Sequence, residues 1–326
     1  MQTIARPVVQ LADPATPRKR ACSRSAWGVL VAGLLSACSG PEAGSDLADM
    51  GGPASQGPTN ALVAARPYES RVPSSYDASK PTPLVLLLHG FGANGLTQDL
   101  YFGLGDVLAQ TGFLYAIPDG TMNSAGKQFW NANELCCDFE KTGVDDVAYI
   151  SAIIDDMKAR YNVDLGQVYL VGHSNGGFMS HRFACDRADR VAAIISLAGG
   201  NWKDPARCQP SQPVAMLQVH GDQDDAVPYA GGSRGGLMLP SAEEITATWA
   251  QKNGCQALPS KQTGALDLEA NIDGSETDVT RYTGCRSGGA AELWTIKGGG
   301  HTPSFFRTRW PALITQWFRE HKKPAP

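Results

Sequence analysis

The chain predicts an α/β domain over residues 66–326, a mostly parallel sheet with helices on both faces. Short, unbroken apolar runs alternate with stretches whose apolar residues recur every three or four positions, the order expected of parallel strands joined by helices. One run ends in a glycine-flanked turn that opens directly into an amphipathic segment, at residues 167–184. About 260 residues is also enough chain for one substantial core.

Taken in order, residues 66–72 are expected as a first strand and 83–88 (PLVLLL) as a second. Residues 100–110 read as a helix, and 113–117 as a strand closed by Pro118-Asp119-Gly120. Over 145–161, Val147, Ile150, Ile153, Ile154, Met157 and Tyr161 fall at steps of three and four, which gives a helix one buried face. The β-branched and aromatic run 168–171 is a strand. It leads into Gly172-His173-Ser174-Asn175-Gly176 and then a helix over 178–184. Later strands are expected at 191–197, 214–219 and 292–296, with helices near 242–253 and 310–320. A second Gly-x-Ser-x-Gly, Gly231-Gly232-Ser233-Arg234-Gly235, follows no apolar strand and reads as a surface loop. Glu269, Asn271, Asp273 and Gly274 begin like a calcium loop, but the twelfth position is Thr280, so a hairpin connection without metal is expected.

Ahead of the domain, residues 1–37 read as a signal peptide. Arg18, Lys19, Arg20 and Arg24 precede an apolar core of ten residues, 26–35, far short of the ~20 a membrane-spanning helix needs. Leu35-Ser36-Ala37-Cys38 resembles the lipobox of bacterial lipoproteins, in which the cysteine is acylated and becomes the new N-terminus. Cys38 is therefore the expected lipid anchor, and Ser39 after it implies outer-membrane delivery in a two-membrane bacterium. Residues 38–65 are rich in Gly, Pro, Ser and Ala, too poor in large apolar groups to fold, and read as a flexible tether.

The formal net charge is −4, and removing the leader's five cations and one anion leaves about −8. That balance argues against nucleic acid or anionic lipid as the main partner. Of eight cysteines, Cys22 lies in the leader and Cys38 at the lipid site, leaving six for disulfides. These agree with export, and no Cys/His spacing suggests zinc. Cys255 with Cys285 is the expected pair around a polar insertion. Adjacent Cys136 and Cys137 either bridge each other or reach Cys185 and Cys208 one each, the second being the expectation.

Strand, tight turn, helix is the shape that lifts a serine hydroxyl clear of a sheet, with glycines giving the turn its room. Ser174 is thus the candidate nucleophile, and it needs a base. Among six histidines, His173 lies within the turn, His181 two turns into the helix, His89 and His220 at strand ends before glycine, and His321 in the basic tail. His301 remains, after three glycines and beyond a strand, on a loop that can swing over the strand ends. The acid that fixes its tautomer is sought between serine and histidine. Residues 220–228 (HGDQDDAVP) follow a strand and offer Asp222, Asp224 and Asp225, of which Asp224 is chosen. The oxyanion hole takes the N–H of Asn175, at a helix N-terminus, and the N–H of Phe91 in His89-Gly90-Phe91-Gly92.

Several segments now form one set: PLVLLLHGFGANG (83–95), FWNANELCC (129–137), VYLVGHSNGGFMSHRFAC (168–185), HGDQDDAVPY (220–229) and GGGHT (298–302). Together they resemble the polyhydroxybutyrate depolymerase/feruloyl esterase group of secreted α/β-hydrolases, which includes family 1 carbohydrate esterases. The resemblance spans 66–320 in the same order. It implies a single-domain α/β-hydrolase fold and a serine esterase acting through an acyl-enzyme, without cofactor or metal. The substrate partner would be a 3-hydroxybutyrate oligomer or polyester, or a feruloyl or acetyl ester. Trp130, in the FWNA stretch, is assigned to the substrate pocket, with a core role as its alternative. A peptidase with the same triad is a second reading, separable by amide against ester substrates. A lipoprotein that binds glycan or polymer without turnover is a third, and the full triad argues against it. Nothing in the sequence sets an oligomeric state.

Overall fold

A computed structural model describes residues 60–234 and 236–324. The expected leader, Cys38 and the expected tether up to residue 59 lie outside them. Nine strands form the main sheet: β1 Glu69–Arg71, β2 Thr82–Leu88, β3 Leu114–Ile117, β4 Val163–His173, β5 Ala193–Leu197, β6 Ala215–Gly221, β7 Ser260–Leu266, β8 Thr277–Tyr282 and β9 Ala290–Ile296. They run in the order β1-β3-β2-β4-β5-β6-β9-β8-β7. The six from β3 to β9 are parallel, and β1 at one edge and β8 and β7 at the other are antiparallel.

Side chains of one strand alternate between two cores. Leu84, Leu86 and Leu88 of β2 pack with Val63, Tyr149, Phe178 and Trp249. Val85 and Leu87 pack on the opposite face with Phe102, Leu108, Trp310 and Ile314. That alternation is the pleat of a strand buried on both faces, and each such side chain contributes roughly 1.5–3 kcal/mol on leaving water. The first core lies beneath helices α1 Ala61–Ala65, α4 Asp146–Arg160, α5 Asn175–Asp186 and α6 Ala242–Lys252; the second beneath α2 Gly95–Phe102, α3 Leu104–Thr111 and α7 Arg309–Glu320. Helix starts follow side-chain chemistry: Asn94 with Thr97 and Ser241 with Glu244 make capping boxes, and Asp145 accepts the Ala148 N–H.

Registers align the C-terminal ends of the parallel strands: Leu88 lies opposite Gly172, His173 opposite Leu197, and Gly221 opposite Ile296. The chain leaves β2 toward β3 but returns as β4 on the other side of β2. This reversal opens a crevice between the loops after β2 and β4, the usual place for a ligand in such a sheet.

Several expectations change. The helix expected over 100–110 is two helices, because Gly103 takes φ 65° and turns the chain between them. The segment expected as tether does not run to residue 65: Asn60 caps α1, and Val63 is buried in the core. The cysteine expectation for 136 and 137 is wrong; they bridge each other, and Cys185 pairs with Cys208, while Cys255–Cys285 stands as expected. The second Gly-x-Ser-x-Gly is not a plain loop, since Gly232–Arg234 pairs with Leu237–Leu239 as a small hairpin. The stretch resembling a calcium loop connects β7 and β8, an antiparallel pair.

Candidate active site

β4 ends at His173, and Ser174 bridges to α5 with φ 52° and ψ −116°, a region that strains any side-chain-bearing residue. The strain is held from both sides: the Ser174 N–H donates to the Leu197 carbonyl at 2.8 Å, and the Ser174 carbonyl accepts the Phe178 N–H at 3.0 Å. Close packing makes the flanking glycines obligatory. A Cβ on Gly172 would sit 2.2 Å from the Gly176 carbonyl oxygen, and one on Gly176 2.0 Å from that of Leu88. Backbone approaches backbone there, so neither can yield.

The Ser174 hydroxyl donates to His301 Nε2 at 2.9 Å, and His301 Nδ1–H donates to Asp224, 2.8 Å from Oδ2 and 3.0 Å from Oδ1. The structure therefore brings together the three residues selected from the sequence. Asp224 lies just past β6, buried, and also accepts the N–H groups of Ala226 and Val227 at 2.9 and 2.8 Å. Burial by itself would raise its carboxyl, but hydrogen bonds from His220, His301 and Val227 outweigh it and hold the group well below the usual carboxylate range. The loops after β6 and β9 are stitched to each other: Asp222 pairs with Lys297 and accepts the Gly298 N–H at 2.7 Å, and the Gln223 N–H donates to Gly299. Asp222, passed over as the acid, is thus a fastening between the two loops, and Asp225 is exposed.

His301 itself is fixed from beneath. His173 donates Nε2–H to the His301 carbonyl at 3.0 Å, and Tyr101 donates its hydroxyl to the Pro303 carbonyl at 2.8 Å. Burial lowers the His173 imidazole to about 4, so it stays neutral in this role. Glu269, buried in the β7–β8 connection, accepts the Ser304 N–H at 2.7 Å. Sequence reasoning placed Glu269 only in a calcium-like run and did not reach Tyr101, since the partners of both lie at remote positions in the chain.

The loop after β2 lies against Ser174, since a Cβ on Gly90 would be 3.6 Å from Ser174 Cβ. Within it the Gly90 N–H donates to Gln98, that of Gly92 to the Gln128 carbonyl and that of Ala93 to Gly90. Among the described residues the Phe91 N–H has no partner. The Asn175 N–H heads α5, where the first amides have no intrahelical carbonyl. Asn175's side chain is otherwise occupied: it accepts the Trp130 N–H at 2.7 Å and donates to the Trp130 carbonyl at 2.9 Å. Trp130 corrects an expectation. Its side chain is fully buried, its indole N–H donates to the His89 carbonyl at 3.1 Å, and it stacks on Tyr149, so the core alternative holds. Phe91 is exposed and meets exposed Phe139 edge-on at 5.5 Å.

A family model for the alpha/beta hydrolase fold matches residues 83–226. "Probable feruloyl esterase C" of Aspergillus clavatus is 31% identical over 228 residues, which cover 68% of this chain and 71% of that protein. The chain belongs to the feruloyl esterase group of α/β-hydrolases. As a member of that group it is a carboxylic ester hydrolase. Feruloyl esterase B of Piromyces equi is 28% identical over 74% of this hydrolase, which spans 43% of that longer protein. Among solved structures, the acetyl xylan esterase from Aspergillus awamori superposes with a TM-score of 0.58 at 16% identity, over 77% of this chain and 92% of the other, a likeness of fold.

Proposed function

We propose that Ser174, Asp224 and His301 are the catalytic triad of this hydrolase and that it works through an acyl-enzyme. The observation that carries the reading is the unbroken contact from the Ser174 hydroxyl through His301 Nε2 (2.9 Å) and Nδ1 to Asp224 (2.8 Å). As Oγ attacks the ester carbonyl, His301 takes its proton. The C–O bond to the alcohol then breaks, and His301 returns that proton to the leaving oxygen. Water enters, loses a proton to His301 and opens the acyl-enzyme, freeing the acid and Ser174. Asp224 keeps Nδ1 protonated and stabilises the imidazolium. The N–H groups of Phe91 and Asn175 receive the oxyanion, a contribution of ~10²–10³ in kcat for each such donor.

The acyl group in this reading is an aromatic one, as in a feruloyl ester. Two things support it: relatives carry the name feruloyl esterase, and Phe91, in the loop beside Ser174, meets Phe139 edge-on to present an exposed apolar surface. Initial rates on methyl ferulate, p-nitrophenyl acetate and butyrate, and 3-hydroxybutyrate oligomers test it, with Ser174→Ala as control. Methyl ferulate should give the highest kcat/KM, and the variant should lose on the order of 10⁴–10⁶ in kcat. Faster turnover of acetate or hydroxybutyrate esters would overturn the aromatic assignment, and a fully active Ser174→Ala the triad.

Export agrees with the three disulfides, which form in oxidising compartments. The finer reading is that Cys38 bears the lipid that tethers the enzyme to the cell envelope, supported by the basic leader, its short apolar core and Leu35-Ser36-Ala37-Cys38. Cys38→Ser should abolish incorporation of an alkyne fatty acid and shift the protein to the soluble fraction. An unlabelled, soluble wild type would sink the idea.

A further inference from the structure

Behind the triad runs a buried train of side-chain hydrogen bonds whose direction is fixed from its far end. Trp249 on α6 is the starting point, because an indole N–H can only donate. It donates to His181 Nδ1 at 3.0 Å, so His181 carries its proton on Nε2 and donates that to Gln218 Oε1, also at 3.0 Å. The Gln218 amide nitrogen must then point the other way, where it donates to the Gly199 carbonyl and to His220 Nδ1, each at 3.0 Å. His220 is left with its proton on Nε2, shared between the Val227 carbonyl at 2.8 Å and Asp224 Oδ2 at 3.1 Å. None of the four side chains behind Asp224 reaches solvent appreciably. Every donor in the train points toward the carboxylate.

We propose that His220 is a positioning residue for ester hydrolysis: its Nε2–H, aimed by Gln218, His181 and Trp249, holds Asp224 in the orientation and charge state that His301 requires. The proposal rests on the reading of Ser174, Asp224 and His301 as the triad. Oδ2 receives two imidazole N–H donors, His301 from the loop side and His220 from the sheet side, while Oδ1 is held by two backbone amides. A carboxylate gripped at both oxygens cannot rotate away as His301 gains and loses its proton. Burial lowers His181 to about 4, which keeps that imidazole neutral and its Nδ1 an acceptor for Trp249. The other titratable groups about this pair are His173 beneath the His301 carbonyl, Tyr229 with its ring edge-on to His220, and the Asp222–Lys297 ion pair on the adjoining loops.

Removing the donor has a direction. With one hydrogen bond fewer, the Asp224 charge is less dispersed, so the carboxylate takes up a proton at higher pH and binds the His301 imidazolium more tightly. Both effects move the acid limb of kcat/KM upward in pH. In the full-length enzyme His220→Leu should therefore lower kcat about tenfold to hundredfold with KM little changed, as a displaced reacting group does. Its acid limb should rise. His220→Gln, whose amide can reach Asp224 as Nε2–H does, should recover most of the rate. Nitrogen-15 NMR of the wild type, which needs no variant to fold, should show His181 and His220 both neutral and protonated on Nε2 at pH 7. A folded His220→Leu with wild-type kcat and an unmoved pH profile would overturn the proposal, as would equal losses in the Leu and Gln variants or the opposite tautomer at His220. Ser174→Ala, assayed alongside, separates that failure from failure of the triad: if it is dead while His220→Leu is unimpaired, only the positioning role is lost.

Discussion

Ser174 holds a backbone conformation that costs about 1–3 kcal/mol, and it persists because the Leu197 carbonyl and the two backbone contacts around Gly172 and Gly176 over-determine it. The buried histidines are a comparable liability. His173 and His181 both fall from the ordinary 6.5 to about 4 through burial, so the unfolded chain binds protons at a pH where the folded one refuses them. Stability is therefore complete above about 6.5 and declines as pH falls toward about 4, by roughly 3 kcal/mol for each histidine. Urea midpoints measured across that window should fall steeply in the wild type. In His181→Gln, which keeps an acceptor for Trp249 and a donor for Gln218, the decline should be about half as large. An unchanged slope would show that His181 is not the neutral buried group inferred.

At the scale of elements, the site is made by register. β2 and β4 stop within about one residue of each other, and β6 and β9, paired to their ends, run about two residues further, which gathers the loop of Phe91, Ser174, Asp224 and His301 at the same end of the sheet. The joint between β4, α5 and β2 is correspondingly intolerant. Gly176→Ala would press a methyl group into the Leu88 backbone and should destabilise by about 3 kcal/mol, the upper end of ordinary overpacking. Thermal and urea unfolding would measure it; a variant as stable as wild type would mean the elbow yields. The elements most legible in the sequence were those buried on both faces, 83–88, 168–171, 191–197 and 214–219, whose apolar runs have no other use. β7 and β8 were foreshadowed only by the hairpin connection expected at 269–274, because β7 is mostly exposed and polar and carries no period-two alternation to read. Glutamine within the apolar run 214–219 was a signal of the train behind Asp224, and it gave no hint of where its partners lay.

Across the whole molecule, cross-links close what the two cores leave loose. Cys255–Cys285 joins the end of α6 to the turn between β8 and β9 across 30 residues, around a hairpin with little apolar surface of its own. Loop-closure entropy gives such a link about 3–4 kcal/mol. The double variant Cys255→Ser, Cys285→Ser should lose up to that much in urea unfolding while retaining esterase turnover if the site is as independent of the link as the strand ends imply. Loss of turnover in a still-folded double variant would place the hairpin, through Glu269 and the His301 loop, within the working machinery.

The sequence by itself determined the α/β class, the order of the parallel strands in the chain, the strand–turn–helix around Ser174 and the choice of Asp224 and His301. These are local matters, set by burial period, by the room glycine gives a tight turn and by chain order. Only the tertiary structure decided that Trp130 is core, that Cys136 bridges Cys137, that one expected helix is two, and that His220, Gln218, His181 and Trp249 all point their donors at Asp224. The Cys136–Cys137 bridge and the break at Gly103 are local choices that the residues alone left open, whereas the burial of Trp130 and the far links of the train depend on atoms that meet across 37 to 68 residues of chain, where hydrogen-bond direction passes through space from a donor-only indole rather than along the backbone.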